Sequence, residues 1–155
     1  MRKIFKKGIT IIEILVVLAI IGVIISVVIP QFANVRENQV LKSGVQDILS
    51  SVNKARGETL SSLNSSEYGV HFQSDTVIIF KGKIFSAGAM DNETVSITAP
   101  ASITNVTLGG ASGASGDMYF SRLSGNPSAT GTITISTGSF SKIITISAVG
   151  VASSN

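Results

Sequence analysis

The chain has no cysteine, no tryptophan and a single histidine, His71, in 155 residues. Without cysteine there is no disulfide framework, no thiolate metal site and no thiol nucleophile. One imidazole excludes any centre that needs two. Charge is also scarce. Asp, Glu, Lys and Arg make up 14% of the residues, against about 25% in an ordinary soluble domain. Hydrophobic residues are 44%, so the chain is not of the disordered type, which pairs low hydrophobicity with high charge. The length suits one domain plus an extension.

The basic excess is confined to one end. Four of the twelve Lys and Arg are Arg2, Lys3, Lys6 and Lys7, which leaves eight against nine Asp and Glu over residues 9–155. A nucleic-acid binder carries a basic patch on its folded part, and the sequence clusters none there.

Recognisable chemistry is equally sparse. The many serines sit in no G-x-S-x-G elbow. The acids Asp75, Asp91, Glu93 and Asp117 are scattered and form no Asp-x-Asp-x-Asp-Gly loop for calcium. Gly109, Gly110 and Gly113 precede no Lys-Ser/Thr of a phosphate loop. The Asn92-Glu93-Thr94 and Asn105-Val106-Thr107 triplets spell glycosylation sequons by chance in a Ser/Thr-rich chain. His71 is expected on a strand, exposed or hydrogen-bonded. No cofactor, metal or enzymatic activity is expected.

What the sequence does have is a long apolar run. Residues 14–35 carry no charge for 22 positions, roughly 33 Å of helix and enough to cross a bilayer core. The cations before it predict a cytoplasmic N-terminus and a translocated remainder. Three explanations compete. A secretory signal peptide has a shorter apolar stretch and a small-residue cleavage site after it. A plain anchor leaves Glu13 unexplained, since a carboxylate costs roughly 2.5–3.5 kcal/mol at mid-membrane and less near the edge. In the third, the chain is cut between Gly8 and Ile9. The new amine of one subunit then meets Glu13 of a neighbour, and each charge offsets the other.

Lys6-Lys7-Gly8, then Ile9-Thr10-Ile11-Ile12-Glu13-Ile14 and the apolar run, resembles the class III signal of type IV pilins and type II secretion pseudopilins. The resemblance implies a leader over residues 1–8, cleavage at Gly8/Ile9 by a prepilin peptidase, and N-methylation of Ile9. It also implies Glu13 as the acid that registers subunits and a helix kink at Pro30. The family usually begins its mature chain with Phe, where this one has Ile9.

After Pro30 the apolar positions Leu41, Val45, Ile48, Val52 and Ala55 recur at alternating spacings of four and three, the stripe of an amphipathic helix. The helix is therefore expected to resume and run to Leu63, with 9–30 as the transmembrane and assembly part and 31–63 as the amphipathic part. Residues 64–155 read as a β-rich head. Period-two patterning marks strands near Tyr68–Phe72, Thr76–Lys81, Lys83–Ser86, Glu93–Thr98, Ile103–Leu108, Met118–Arg122, Thr130–Ser136 and Lys142–Val149. Gly82 is expected to turn a hairpin between the second and third, and Thr137–Ser141 another between the last two. Leu108–Gly116 reads as a mobile Gly/Ser loop. The fold class is α+β: a long N-terminal helix packed through its stripe on an antiparallel sheet.

The head also resembles H-type pseudopilins and FimT-like minor pilins. The similar segments are Ala55-Arg56, Tyr68-Gly69-Val70, Phe120, Gly131–Ile135, Lys142–Ile146 and Gly150, with Val151 where the family often has Arg. The implied function is a structural subunit, a minor pilin or pseudopilin, of a pilus or secretion filament. The implied partners are other pilin subunits, the prepilin peptidase, the assembly platform and ATPase, and the cytoplasmic membrane. The alternative is a DNA-binding minor pilin of an uptake apparatus, but Ala148–Asn155 carries no basic residue, so DNA is an unlikely partner. The expected location is the inner membrane, single-pass with the head outside, then a periplasmic or surface filament.

Overall fold

The structure is a computed structural model described over residues 8–155; the side chains of residues 29, 30 and 33 lie outside that description. The chain is α+β. One helix, α1 (Ile11–Leu60), is followed by a short 3-10 turn (Leu63–Ser65) and nine strands. These are β1 (Tyr68–Phe72), β2 (Thr76–Lys81), β3 (Glu93–Ser96), β4 (Ser102–Leu108) and β5 (Ala111–Gly113), then β6 (Gly116–Tyr119), β7 (Gly131–Ser136), β8 (Ser141–Ile146) and β9 (Ala152–Ser154). The chain divides into two compact units, Met1–Arg36 and Glu37–Asn155.

The first unit is the apolar part of α1. Over Ile11–Val28 its mean hydropathy is 3.2, and its side chains are exposed throughout. That length and composition suffice to span a membrane. The helical residues continue through Pro30, so the helix does resume beyond it.

In the second unit the expected stripe is the buried face. Leu41, Val45, Ile48, Val52 and Ala55 are all buried in one core with residues of both sheets. Each such aliphatic side chain contributes about 1.5–3 kcal/mol by leaving water. At Gly44 the helix comes close to the strands: a Cβ there would lie 2.6 Å from Ile135 Cδ1. The helix stops at Leu60, three residues before the expected Leu63. Ser62 adopts φ 51°, ψ 37° and Asn64 φ 51°, ψ 24°, left-handed conformations that end the α-helical run. Thr59 ties this end to the sheet: its buried hydroxyl donates to the Ala55 carbonyl (2.9 Å) and accepts from the Tyr68 N–H (2.9 Å).

The strands form two antiparallel sheets. One has the order β3-β2-β1-β6, the other β5-β4-β7-β8-β9. Val70, Phe72, Val77, Ile79 and Met118 of the first sheet share the core with Ile103, Val106, Ile133, Ile135, Ile144 and Ile146 of the second. The hairpin β7–β8 matches expectation, with Ser136 opposite Ser141.

Two expectations are corrected, and one strand was not expected. Lys83–Ser86 is not a strand; β2 already has β1 on one edge and β3 on the other, so no edge remains for it. Leu108–Gly116 is not an open loop. Leu108 pairs with Ala111 and Val106 with Gly113, a tight hairpin around Gly109 and Gly110, both at positive φ. Ala152–Ser154 pairs with β8 through Ile144–Ile146, although the three residues show too little alternation to be read as a strand.

Candidate functional site

The residues singled out by the sequence lie at the start of the first unit. Gly8 and Ile9 are exposed and non-helical, and α1 begins two residues later. Thr10 is the residue that starts the helix. Its hydroxyl accepts a hydrogen bond from the Glu13 N–H (3.3 Å), and its carbonyl accepts from the Ile14 N–H (3.3 Å). That is an N-cap, and Thr10-Ile11-Ile12-Glu13 has the S/T-x-x-E spacing of a capping box. The cap is legible in this spacing alone.

Glu13 occupies the first helical turn and is exposed. A carboxylate there complements the positive end of the helix dipole. The same turn forms a shallow apolar groove lined by Ile9, Glu13, Ile14, Val17 and Leu18. The structure thus brings the backbone at Gly8–Ile9 and the Glu13 carboxylate to one helix end. The cations Arg2, Lys3, Lys6 and Lys7 fall outside the described residues. Pro30 lies far along α1 and takes no part in this end.

The other candidates are dispersed. Glu93 is held by Lys54, whose ammonium donates to its carboxylate at 2.6 Å. That hydrogen bond, and the Glu93 charge behind it, raise the Lys54 pKa. Among the described residues no three His, Asp or Glu side chains converge on a possible metal position. Asn92 donates to the Ser86 carbonyl (2.7 Å) and Asn105 to the Thr107 hydroxyl (3.1 Å).

Arg56, noted in the sequence only as part of a family likeness, donates to the Gly125 carbonyl (3.2 Å). It packs where a Cβ on Gly150 would lie 2.9 Å from its Nε. Gly125 and Gly150 both have positive φ, so each serves as a turn and as room for the guanidinium.

His71 sits in a cluster that the sequence did not assemble. Its ring stacks on Phe85 with centroids 3.9 Å apart and planes at 5°. Its Nδ1 lies 3.9 Å from Asp117 Oδ1, beyond hydrogen-bond reach. Burial lowers its pKa, and the Asp117 charge opposes that shift.

No family model, curated protein or solved structure matches the chain.

Proposed function

We propose that this chain is a structural subunit of an envelope filament: a minor pilin or pseudopilin of a type IV pilus or type II secretion system. One observation carries the proposal. The stretch Ile11–Val28 of α1 begins two residues after Ile9, is exposed throughout, and carries a single charged residue, the acid Glu13 in its first turn. A prepilin peptidase cuts at Gly8/Ile9 and the amine of Ile9 is methylated. The helix anchors the subunit in the cytoplasmic membrane with its N-terminus inside and its head outside. On assembly the apolar helix exchanges lipid for neighbouring helices, and Glu13 meets the Ile9 amine of another subunit.

Lipid is about as apolar as leucine, so transfer from bilayer to filament has little hydrophobic drive. The platform protein and ATPase therefore supply the work. An unpaired Glu13 costs more as its surroundings dry out, and pairing removes that cost. The helix can enter the filament in one register only, the one that joins the two charges.

The DNA-binding alternative draws little support from the head. Over residues 9–155 eight Lys and Arg stand against nine Asp and Glu, and one of those cations, Lys54, is already paired with the Glu93 carboxylate. No catalytic role is assigned.

The test is the mass of the native chain together with its incorporation into filaments. The expected mass lacks residues 1–8 and gains one methyl group. Gly8→Ala is expected to keep the leader. Glu13→Ala is expected to be cleaved normally yet be absent from sheared filaments. A native chain that still begins at Met1, or a Glu13→Ala subunit that assembles normally, overturns the proposal.

A further inference from the structure

The two faces of the first sheet differ. Val70, Phe72, Val77, Ile79 and Met118 face the core. Gly69, His71, Ile78, Phe80, Asp117 and Tyr119 alternate with them on the outer face. Outer faces are usually wet, yet Phe80 is only 1% exposed and belongs to no part of the main core. Residues 82–92, which join β2 to β3, explain this. They fold back so that Phe85 lies flat on His71 and edge-on to Phe80, 5.6 Å between ring centroids. Gly69 leaves room for the Phe80 ring, which a Cβ there would overlap.

The segment has few other attachments. Its root is fixed by the Gly82 N–H to the Glu67 carbonyl (2.8 Å). Lys83 lies 3.8 Å from Glu67 and 5.8 Å from the Tyr119 ring centroid. Its remaining backbone hydrogen bonds among the described residues are internal: Ala89 to Ser86 and Asn92 to Ala89. Ile84 and Met90 project into water. Phe85 is therefore the principal contact between the segment and the sheet.

The hydrogen bonds around His71 suit a neutral ring. Thr76 donates to Gln73 Oε1 (3.1 Å), which turns the Gln73 amide nitrogen toward His71 Nε2 (3.2 Å). Nε2 must then accept, so the proton resides on Nδ1. Nδ1 is buried and has no partner. A second proton would place an N–H on Nε2 against the N–H of Gln73. It would also charge a ring sandwiched between Phe85 and the sheet.

We propose that residues 82–92 form an acid-released strap, held on the outer face of the first sheet by the Phe85–His71 stack and loosened when His71 is protonated. The groups around the ring decide the sign. The Gln73 amide, just past the end of β1, opposes the cation. Ile78 and Phe80 on β2 and Phe85 on the strap offer it no hydrogen-bond acceptor. Asp117 on β6 favours it, but from 3.9 Å and with half its side chain in water. Lys83 is turned to Glu67 and Tyr119. Burial outweighs Asp117, so the closed state binds a proton less readily than the open one. The strap's stability is then complete above the free-imidazole value of about 6.5 and falls as pH drops below it. Release would bare Phe80 and the His71 ring, so the head would present a different surface in acid.

The chain has one histidine, which makes the measurement direct. The full chain in detergent micelles is titrated from about pH 7.5 to about pH 5, across the imidazole range. NMR follows the imidazole nitrogens and the hydrogen exchange of the segment's hydrogen-bonded amides, Gly82, Ala89 and Asn92, corrected for intrinsic rates. The neutral ring is expected as the Nδ1–H tautomer, with exchange rising as pH falls. His71→Phe keeps a stacking ring and is expected to abolish the rise. Gln73→Glu supplies an acceptor for Nε2–H and is expected to keep the strap closed in acid. Titration of His71 at or above the ordinary imidazole value overturns the proposal. So does an equal exchange response in His71→Phe, or exchange that ignores pH.

Discussion

The two parts of α1 are built by opposite rules. Over Ile11–Val28 apolar side chains cover every face and all are exposed. Beyond Glu37 they narrow to the stripe Leu41, Val45, Ile48, Val52 and Ala55, which is buried, while Lys42, Gln46, Asn53 and Lys54 face water. A stripe needs one partner surface, and the chain supplies it as two sheets. An all-round apolar surface needs partners on every side, and Ile11–Val28 is 0% buried among the described residues. A soluble monomer rarely exposes more than a few hundred Å² of contiguous apolar surface. In the proposed function that partner is lipid first and other helices afterwards, and the proposal rests on this part of the molecule and not on the head.

The comparison is broken most severely by matched truncations. Ile48→Ala removes a fully buried side chain and is expected to destabilise the head by about 2–5 kcal/mol, read from urea unfolding by circular dichroism. Ile20→Ala, in the exposed part, is expected to leave that transition unchanged. If the two cost the head equally, the apolar part belongs to its core and the division fails.

A charge tests the other side. Ile20→Lys is expected to raise the cost of membrane insertion by about 2.5–3.5 kcal/mol, read as the fraction extracted by alkaline carbonate. Head stability should not follow. Retention in the membrane equal to that of the unmodified chain would mean that Ile20 does not lie in lipid.

Much of this contrast was legible because both signals are local and periodic. An uninterrupted uncharged run and a stripe at alternating spacings of four and three depend only on near neighbours along the chain. The end of the helix was less so: Ser62 and Asn64 enter left-handed conformations, and neither is a glycine that would announce them. The β7–β8 hairpin was legible from its short turn, but most other strand partners were not, since pairing is decided by which edges remain free. Lys83-Ile84-Phe85-Ser86 has the alternation of a strand, yet β2 had no edge to offer, and Phe85 was used as a cover for His71 instead. Gly131 shows the same limit from the other direction. A glycine forgoes side-chain packing in a strand, but Gly131 lies so close to the Thr107 carbonyl that any Cβ there would overlap it. At the candidate site, Gly8, Ile9 and Glu13 are singled out by their order in the chain, and the Thr10 cap is legible in its spacing to Glu13.

That cap sharpens the comparison at the tip of the apolar part. Thr10→Ala is expected to cost about 1 kcal/mol of local helix stability, seen as faster hydrogen exchange at Ile12, Glu13 and Ile14. Thr10→Ser should restore protection. The head's thermal transition should stay in place for both. Unchanged exchange in Thr10→Ala would show that the first turn is held by something other than the Thr10 hydroxyl.

The smallest expected effect lies where the buried helix part meets β3. Lys54 and Glu93 are each about half exposed, at 46% and 51%, so their hydrogen bond competes with water and is screened by salt. Removing either partner is expected to cost the head no more than about 1 kcal/mol, and a double-mutant cycle of Lys54→Ala with Glu93→Ala should isolate the coupling. The pH dependence has a definite sign. The folded state raises the Lys54 pKa, so the contribution is present below the ordinary lysine value of about 10.5 and is lost as pH rises past it. Acid loosening of the His71 strap runs the other way, and the two are therefore separable by titration alone. A coupling that survives about 1 M salt, where screening reaches within roughly 3 Å, would mean that Lys54 holds β3 by packing of its methylene chain along the strand rather than by charge.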